Sequence, residues 1–252
     1  MAKPLFSIIT ITYNAEKVLE ETMRSVLMQS SSDYEYIIID GASKDKTVDI
    51  IKQYKDSITY WVSEPDKGLY DAMNKGLNAA KGEYVWFLNA GDTLYSLDLL
   101  RNLGDRISKL PASPDVLYGD TALVDGQGKF VSMRRLRPPR KLTWKSFRMG
   151  MLVCHQSFVA KRSIAPNYDL SYRFSSDFDW CIKCLKAAKT VFNTHTILTN
   201  YLDEGVTTQN MKASLKERFE IMKKFYGIIP TYIIHGWFAI RFLFAKHVKK
   251  QL

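Results

Sequence analysis

The sequence lacks the signatures that would assign it to several common classes of protein. Its three cysteines are Cys154, Cys181 and Cys184, and the last two have CxxC spacing. An odd number of cysteines argues against a disulfide framework and for a reducing compartment. No cluster of cysteine and histidine with zinc-ligand spacing is visible. There is no GxGxxG after the first predicted strand and no GxxxxGK[ST] anywhere, which excludes the ordinary dinucleotide and P-loop interpretations.

Targeting and membrane-spanning patterns are also missing. Residues 1–4 lead directly into an apolar strand pattern without the features of a secretory signal, so we expect the protein on the cytoplasmic side. The apolar run Tyr232–Ala245 is interrupted by His235 and Arg241. It falls short of the ~20 apolar residues of a spanning helix. Its aromatic residues and basic end are typical of a membrane-interface helix, so residues 230–252 are predicted either to lie peripherally on the inner face of the plasma membrane or to pack on the core.

The charge is predominantly positive and unevenly distributed. The 252 residues carry a formal net charge of +10, with basic residues crowded between Arg134 and Arg148 and again at Lys246–Lys250. Such a charge favours the binding of polyanions such as nucleic acid, anionic lipid or phosphorylated small molecules. No nucleic-acid motif accompanies the basic segments, so we do not expect nucleic-acid binding. A solvated basic face is the ordinary alternative.

The first half of the chain alternates between two hydrophobic periods. Short β-branched and aromatic runs without alternation indicate buried strands, and apolar residues at helical spacing lie between them. The order β-α-β-α-β-α-β predicts a parallel sheet with right-handed crossovers. The predicted strands are Phe6–Thr12, Tyr36–Ile39, Ile58–Val62 and Tyr84–Leu88. The predicted helices are Glu16–Met28, a helix that carries Val48 to Tyr54 with Asp45 or Thr47 as its cap, and Leu69–Ala80.

Polar residues follow each of these strands. Open α/β sheets bind ligands beyond the carboxyl ends of their strands, so all four groups are expected at one binding edge. The alternative for the last group is a simple turn, because Asn, Gly and Asp are common turn residues. The four groups are Thr12-Tyr13-Asn14, Asp40, Glu64-Pro65-Asp66 and Asn89-Ala90-Gly91-Asp92.

Four motifs in order resemble the family-2 glycosyltransferases: Ile8–Asn14, Ile38–Thr47, Asp66–Gly76 and Gly82–Asp92. The third resembles one bacterial branch that builds cell-surface polysaccharides. The resemblance is close over the first half and looser over the second. It implies the α/β GT-A fold, a Rossmann-like, mostly parallel sheet flanked by helices, here with a C-terminal helical region. It also implies inverting sugar transfer from a nucleoside-diphosphate donor, expected to be a UDP-sugar, to a hydroxyl of a saccharide or lipid-linked acceptor, with Mg²⁺ or Mn²⁺.

The resemblance also implies which residues bind the donor and the metal. Asp92 matches the metal-binding position. Relatives often read Asp-x-Asp-Asp there, whereas Asn89 and Gly91 replace the first two acids, so we expect weak metal affinity without donor. Asp40 is the expected contact to the base edge. The donor-binding residues are predicted to be Thr12, Tyr13, Asn14, Asp40, Asp66, Lys67, Asp71, Asn74, Asn89, Ala90 and Gly91.

In the second half, Asp177 matches the acid expected to act as general base, and Asp179 is the reserve. Ser176 replaces the usual Glu before Asp177. The alternative is that Ser175 or Ser176 caps a helix and both acids favour its positive N-terminus. His155-Gln156, within a predicted strand region Met149–Val159, resembles an acceptor-side feature, with a buried structural histidine as the alternative. Other expectations here are a strand Asp115–Asp120, a hairpin around Asp125–Gly128, and a loop Tyr201–Thr208 that resembles the mobile donor loop but has no basic residue, leaving the pyrophosphate partner open.

We therefore predict a GT-A domain over residues 1–205 and a C-terminal helical region over residues 206–252. Two other functions stay open. The loss of acids at Asn89 and Gly91 favours a non-catalytic nucleotide-sugar-binding module. The segment Arg134–Arg148 favours a basic membrane-surface or nucleic-acid-binding protein.

Overall fold

A computed structural model describes residues 3–202 and 211–248. The strands are β1 (Phe6–Thr12), β2 (Tyr34–Asp40), β3 (Tyr60–Ser63), β4 (Tyr84–Phe87), β5 (Thr93–Leu94), β6 (Val116–Val124), β7 (Phe130–Met133), β8 (Phe158–Lys161) and β9 (Val191–Leu202). The helices are α1 (Leu19–Leu27), α2 (Thr47–Gln53), α3 (Leu69–Ala79), α4 (Leu99–Ser108), α5 (Ser176–Ala187), α6 (Met211–Tyr226) and α7 (Ile228–Val248).

The strands form one nine-stranded sheet in the order β3-β2-β1-β4-β8-β6-β9-β5, with β7 paired to β6. Strand β1 is parallel to β2 and to β4, and β2 is parallel to β3. The predicted parallel arrangement of the first half is therefore confirmed. The second half is mixed, because β8 is antiparallel to both β4 and β6, whereas β6 and β9 run parallel.

The central strands are covered on both faces, which explains their unbroken apolar runs. Ile8 belongs to a core cluster shared with α1, α2 and α4, and its neighbour Ile9 belongs to a second cluster shared with α3, α5 and α6. Both residues have no exposed surface. Helix α3 lies so close to β1 that a Cβ on Gly76 would stand 2.4 Å from Ile9 Cγ2.

Several predicted boundaries are wrong, including the start of α1, which is Leu19 and not Glu16. Strand β3 begins at Tyr60 because Lys55–Ser57 forms a 3₁₀ turn. Strand β6 continues past Asp120, because pairing with β9 extends to Val124.

The predicted strand region Met149–Val159 is a further error. A 3₁₀ helix at Trp144–Met149 ends at Gly150, which has φ +97°, and a second 3₁₀ turn covers His155–Ser157. Only the last part of the region pairs as a strand, β8. The hairpin around Asp125–Gly128 is confirmed, since β6 and β7 pair across it.

The C-terminal helices pack on the sheet domain and on each other. Ile221 and Met222 of α6 are buried in the same core cluster as α3 and α5. Helix α7 lies against α6 and against the 3₁₀ helix at Trp144–Met149. The predicted boundary at residue 205 lies outside the described residues. Within residues 3–202 and 211–248, no helix combines the length and the hydropathy needed to cross a bilayer.

Candidate active site

The ends of the first four strands meet at one edge of the sheet, as the parallel order predicted. Thr12 at the end of β1 stands beside Asp40 at the end of β2. The peptide N–H of Gly41 donates to Thr12 O at 3.0 Å, and that of Ala90 donates to Ile11 O at 3.2 Å. These bonds draw the loops after β2 and β4 against β1.

Tyr13, Gly41 and Asp66 form one wall of this edge. A Cβ on Gly41 would lie 2.5 Å from Asp66 Oδ2 and 3.3 Å from the Tyr13 ring, so any larger residue here would require the Asp66 side chain to shift. Tyr13 itself is 62% exposed. Asn14 adopts φ +48° and accepts from Lys44 N–H at 2.8 Å through Oδ1. The geometry leaves an exposed aromatic ring beside two polar loops.

Asp40 is fully buried among hydroxyl and amide donors. Its Oδ2 accepts from Ser43 N–H at 2.9 Å and from Ser63 Oγ–H at 2.6 Å, and its Oδ1 accepts from Ser43 Oγ–H. A carboxylate offers about four lone-pair directions, and these bonds occupy three of them. The base-edge role of Asp40 stays a prediction.

The segment from Asp66 to Asn74 uses its polar groups locally. Asp66 Oδ1 accepts from Gly68 N–H at 2.8 Å, and Asp71 Oδ2 accepts from Lys67 N–H at 3.0 Å. Asn74 clamps the backbone of Tyr168: its Nδ2 donates to Tyr168 O at 3.0 Å and its Oδ1 accepts from Tyr168 N–H at 2.7 Å. Asn74 therefore joins α3 to the loop before α5, and its donor contact stays a prediction.

The turn Asn89–Asp92 is tight and largely buried. Asp92 N–H donates to Asn89 O at 3.0 Å, and Gly91, at φ +100°, donates its N–H to Thr22 Oγ1 at 2.9 Å. The Asp92 side chain is 4% exposed and accepts from Leu202 N–H at 3.1 Å through Oδ1. Burial raises the pKa of the Asp92 carboxyl to about 8. The turn that the sequence suggested is thus present, and it holds a carboxylate as well.

The oxygen atoms at this turn suit a hard divalent cation. Asn89 Oδ1 is buried without a hydrogen-bond partner among the described residues. A carboxylate whose burial disfavours its charge, beside an unpartnered amide oxygen, fits Mg²⁺ or Mn²⁺, which take oxygen ligands and retain waters. Across residues 3–202 and 211–248, however, no group of three His, Cys, Asp or Glu converges as a complete ligand set. The residues fit a metal that takes its other ligands from phosphate and water.

Asp177 and Asp179 occupy different environments at the start of α5. Asp177 is partly exposed, and its Oδ1 accepts from Tyr70 O–H at 3.2 Å and from Phe178 N–H at 2.8 Å. Asp179 has no exposed surface and forms ion pairs with Lys183 at 2.6 Å and with Lys224 at 3.3 Å. Asp179 therefore links α5 to α6, whereas Asp177 can reach a ligand.

The capping alternative is realised only in part. The Ser175 hydroxyl lies 3.0 Å from Ser214 Oγ and donates to Ser214 O at 3.1 Å, and neither it nor another side chain caps α5 at the N-cap position. Phe178 N–H does donate to Asp177 Oδ1, so this carboxylate binds a backbone N–H in the first turn of α5. This contact leaves the base role of Asp177 as a prediction.

His155 and Gln156 are buried behind the strand ends. His155 Nε2 lies 2.8 Å from Tyr168 Oη, and burial lowers the pKa of His155 to about 4, so the ring is neutral at neutral pH. The backbone carbonyl of Gln156 accepts from Trp86 Nε1–H at 2.7 Å and from Thr199 Oγ1–H at 2.6 Å. This environment matches the structural alternative, and the acceptor-side role stays a prediction.

Sequence reasoning missed several residues that shape the site. Ser43 and Ser63 hold Asp40, and Leu202 holds Asp92. Tyr70 reaches Asp177 across 107 positions, and no local pattern signals such a contact. Of the loop expected at Tyr201–Thr208, residues 203–208 lie outside the described residues.

The match to known families covers most of the sheet domain. The model of glycosyl transferase family 2 matches residues 7–167. A PGL/p-HBAD biosynthesis glycosyltransferase of Mycobacterium bovis is 30% identical over 240 residues, covering 91% of this chain and 86% of that protein. An uncharacterized glycosyltransferase of Mycobacterium tuberculosis is 32% identical over 194 residues, covering 75% of this chain and 71% of that protein.

Solved structures share the fold at low identity. S. aureus TarS in complex with UDP superposes with a TM-score of 0.69 at 18% identity, and the alignment covers 87% of this chain but 65% of the TarS chain. The mannosyltransferase PcManGT from Pyrobaculum calidifontis, in complex with GDP-Man and Mn²⁺, gives 0.60 at 17% identity, covering 93% of this chain and 69% of that one. The chain belongs to glycosyl transferase family 2 and has the GT-A fold that its motifs predicted.

Proposed function

We propose that the protein is an inverting, metal-dependent glycosyltransferase that moves a sugar from a nucleoside-diphosphate donor to a hydroxyl of a saccharide or lipid-linked acceptor in cell-surface glycan synthesis. The observation that supports this most is the buried carboxylate of Asp92, which lies in the same turn as the unpartnered Asn89 Oδ1. Asp177, at the start of α5, is a second carboxylate and is partly exposed. One carboxylate suits a metal, and the other is open to an acceptor.

The donor would bind along the edge formed by the ends of β1, β2 and β3. The exposed Tyr13 ring offers a stacking surface, and Asp40 would contact the base edge. A UDP-sugar is our first choice, because TarS structures contain UDP and UDP-GlcNAc. GDP-mannose is the second, because PcManGT was solved with GDP-Man. The preorganised hydrogen bonds around Asp40 and Asn14 would hold the nucleoside in line for transfer.

Asp92 would hold Mg²⁺ or Mn²⁺, with Asn89 Oδ1 as a neighbouring oxygen ligand. When bound, such a metal neutralises the charge that develops on the leaving diphosphate. Because Asp92 is buried, water does not solvate the negative charge of its carboxylate. The ionised carboxylate therefore needs a cation beside it. Asp177 would accept the proton of the acceptor hydroxyl as general base.

A donor panel tests this function. The purified protein is incubated with UDP-glucose, UDP-galactose, UDP-N-acetylglucosamine and GDP-mannose in Mg²⁺ or Mn²⁺, and released nucleoside diphosphate is measured. We expect one donor to be consumed, and we expect chelation or Asp92→Ala to abolish the release. Asp98→Ala, which removes an exposed carboxylate outside the site, is the matched control. Activity that persists in excess chelator refutes the metal assignment.

The same assay separates the rival functions. A non-catalytic binding module would retain UDP without releasing it from any donor. For the nucleic-acid alternative, several of the basic side chains are already engaged: Arg137 Nε pairs with Asp120 at 2.9 Å, and Arg148 lies over the Tyr226 ring at 5.1 Å. We expect no salt-dependent binding of single- or double-stranded nucleic acid.

We also propose peripheral contact with an anionic membrane through α7. An apolar stripe recurs at helical spacing along this helix and is solvent-exposed: Ile228, Ile229, Tyr232, Ile233, Trp237 and Ile240. On the opposite side of the helix Thr231 is buried, and its Oγ1–H donates to Gly227 O at 2.7 Å. An apolar stripe followed in sequence by Lys246, Lys249 and Lys250 suits a surface of anionic lipid.

Liposome flotation tests the membrane proposal. We expect the protein to float with phosphatidylglycerol vesicles at low salt and to lose this on the paired substitution Ile229→Ser and Ile233→Ser. The matched control, Met28→Ser, changes an exposed apolar residue on α1's C-terminal side, 54% exposed, and should float normally. Flotation that is unaffected by the α7 substitutions contradicts the proposal. So does a chain truncated after Tyr226 that still binds the vesicles.

A further inference from the structure

The hydroxyl of Tyr70 connects α3 to the carboxylate of Asp177. Tyr70 O–H donates to Asp177 Oδ1 at 3.2 Å, and Phe178 N–H donates to the same oxygen at 2.8 Å. Two donors on one oxygen fix the plane and the direction of the carboxylate. Oδ2 is thereby left as the oxygen that faces an incoming hydroxyl, on a side chain that is partly exposed.

The Tyr70 hydroxyl is the donor to Asp177 Oδ1. Its side chain is 5% exposed, and burial together with the negative charge of Asp177 raises the pKa of Tyr70 far above its ordinary value. The phenol therefore keeps its proton at every pH at which the protein works. A phenol that stays protonated beside a carboxylate supplies a constant, charge-assisted hydrogen bond.

The ring of Tyr70 is itself held in place. It stacks on Tyr168 with ring centroids 5.7 Å apart, and Tyr168 stacks on Trp180 at 5.0 Å. The backbone of Tyr168 is clamped by Asn74 on α3, and its hydroxyl meets His155 Nε2 at 2.8 Å. Because these contacts are buried, the Tyr70 hydroxyl cannot shift without disturbing a packed stack.

We propose that Tyr70 is a positioning residue for the general base: it orients Asp177 and stabilises its ionised form, so that Oδ2 takes the acceptor proton. This inference rests on the proposed function. In the reaction, the acceptor O–H bond breaks and its proton passes to Asp177 Oδ2. The acceptor oxygen bonds to the anomeric carbon, and the nucleoside diphosphate leaves with the electron pair of its C–O bond. Tyr70 touches neither sugar nor metal and acts through Asp177.

The other groups around Asp177 do not replace Tyr70. The pKa of His155 is lowered to about 4 by burial, so this ring is neutral above pH 5. The Glu217 carboxylate accepts from Arg173 N–H and Phe174 N–H, both at 2.8 Å. The titratable groups that interact electrostatically with Asp177 or Tyr70 are Cys154, His155, Tyr168 and Glu217 on other segments and Cys181 on α5 itself.

Carbon-13 NMR of the aspartate carboxyl groups tests the contact without any donor. The Asp177 resonance is assigned by its loss in Asp177→Asn, and its chemical shift is compared between wild type and Tyr70→Phe, which keeps the stacked ring. We expect the Asp177 resonance to move in Tyr70→Phe, because the hydrogen bond from the phenol to Oδ1 is lost. The control Tyr84→Phe, which removes a buried hydroxyl bonded to Pro114 O, should leave the Asp177 resonance unchanged. An unchanged Asp177 resonance in Tyr70→Phe overturns the inference.

A double-substitution cycle tests the role in turnover, with UDP-N-acetylglucosamine and GDP-mannose as probes and released nucleoside diphosphate as the readout. Tyr70→Phe should lower kcat about tenfold, with little change in the KM for donor. On the Asp177→Asn background the same change should cost nothing further. An equal loss on both backgrounds shows that Tyr70 acts elsewhere and overturns the inference. If Asp177→Asn alone turns over normally, the base assignment of the proposed function has failed instead.

Discussion

The burial of Asp92 makes the free energy of unfolding depend on pH, and one substitution isolates that dependence. The pKa of Asp92 is about 8 in the folded protein. In an unfolded chain an aspartate has a pKa of about 3.9. Between these two values the folded state holds a proton that the unfolded state has released. Stability from this group is therefore fully present below about pH 4 and is lost as pH rises through 8.

The magnitude follows from proton linkage. One proton contributes about 1.4 kcal/mol per pH unit, and the slope flattens once pH passes the folded pKa. Between pH 6 and pH 9 the Asp92 carboxyl alone should lower the free energy of unfolding by about 2–3 kcal/mol. Asp92→Asn keeps an oxygen that can accept from Leu202 N–H and does not titrate. The stability of the variant relative to wild type should rise by that amount over the same range.

Urea denaturation followed by tryptophan fluorescence at pH 6, 7, 8 and 9, with chelator present, measures the difference. All other titrating groups are shared by the two proteins and cancel. Asp98→Asn is the control: Ser30 and Arg101 hold the pKa of the exposed Asp98 below its usual range, so its effect should not vary between pH 6 and 9. Mg²⁺ with UDP should stabilise wild type more than Asp92→Asn at pH 8. A wild-type-to-variant difference that is constant with pH would refute the reasoning.

Other predictions concern the base and the packing around it. Asp177→Asn should bind UDP normally but lose turnover by roughly 10²–10⁴-fold, and normal turnover there with an inactive Asp179→Asn would transfer the role to Asp179. Asn74→Ala should lower the free energy of unfolding by about 2–4 kcal/mol in denaturant titrations, because it leaves the Tyr168 peptide groups unpaired; a loss under 1 kcal/mol would contradict this. Gly76→Ala should cost about 1–3 kcal/mol through its clash with Ile9, and an unchanged denaturation midpoint would show that α3 moves freely.

The contrast between Asp177 and Asp179 shows why spacing alone did not separate their roles. Both acids lie in the first turn of α5, and both satisfy the same local pattern. Lys224 on α6, 45 residues away in the sequence, forms an ion pair with Asp179. Tyr70 on α3 donates a hydrogen bond to Asp177 and leaves that carboxylate partly exposed. The sequence favoured Asp177 over Asp179 as general base only through the family resemblance. The environments that distinguish the two acids arise from long-range packing.

The second half of the chain was harder to predict because its elements depend on distant partners. The apolar run after Met149 reads as a strand by composition. In the structure Trp86 Nε1–H and Thr199 Oγ1–H both bind the Gln156 carbonyl, and residues 155–157 form a 3₁₀ turn. Competition from such side-chain donors has no local sequence signal. The β6–β7 hairpin, by contrast, was predictable because its turn residues carry the information.

The sequence by itself determined the alternation of strands and helices in the first half, because hydrophobic period is a local property that burial on both faces of a sheet imposes. It also determined that Thr12, Asp40, Asp66 and Asp92 share one edge, since parallel strands end on the same side. Only the tertiary structure decided how those groups are held. The burial that raises the pKa of Asp92, the Ser63 hydroxyl that binds Asp40 and the phenol beside Asp177 come from segments far apart in the chain. Solvent exclusion and hydrogen-bond geometry exist only once those segments have packed together.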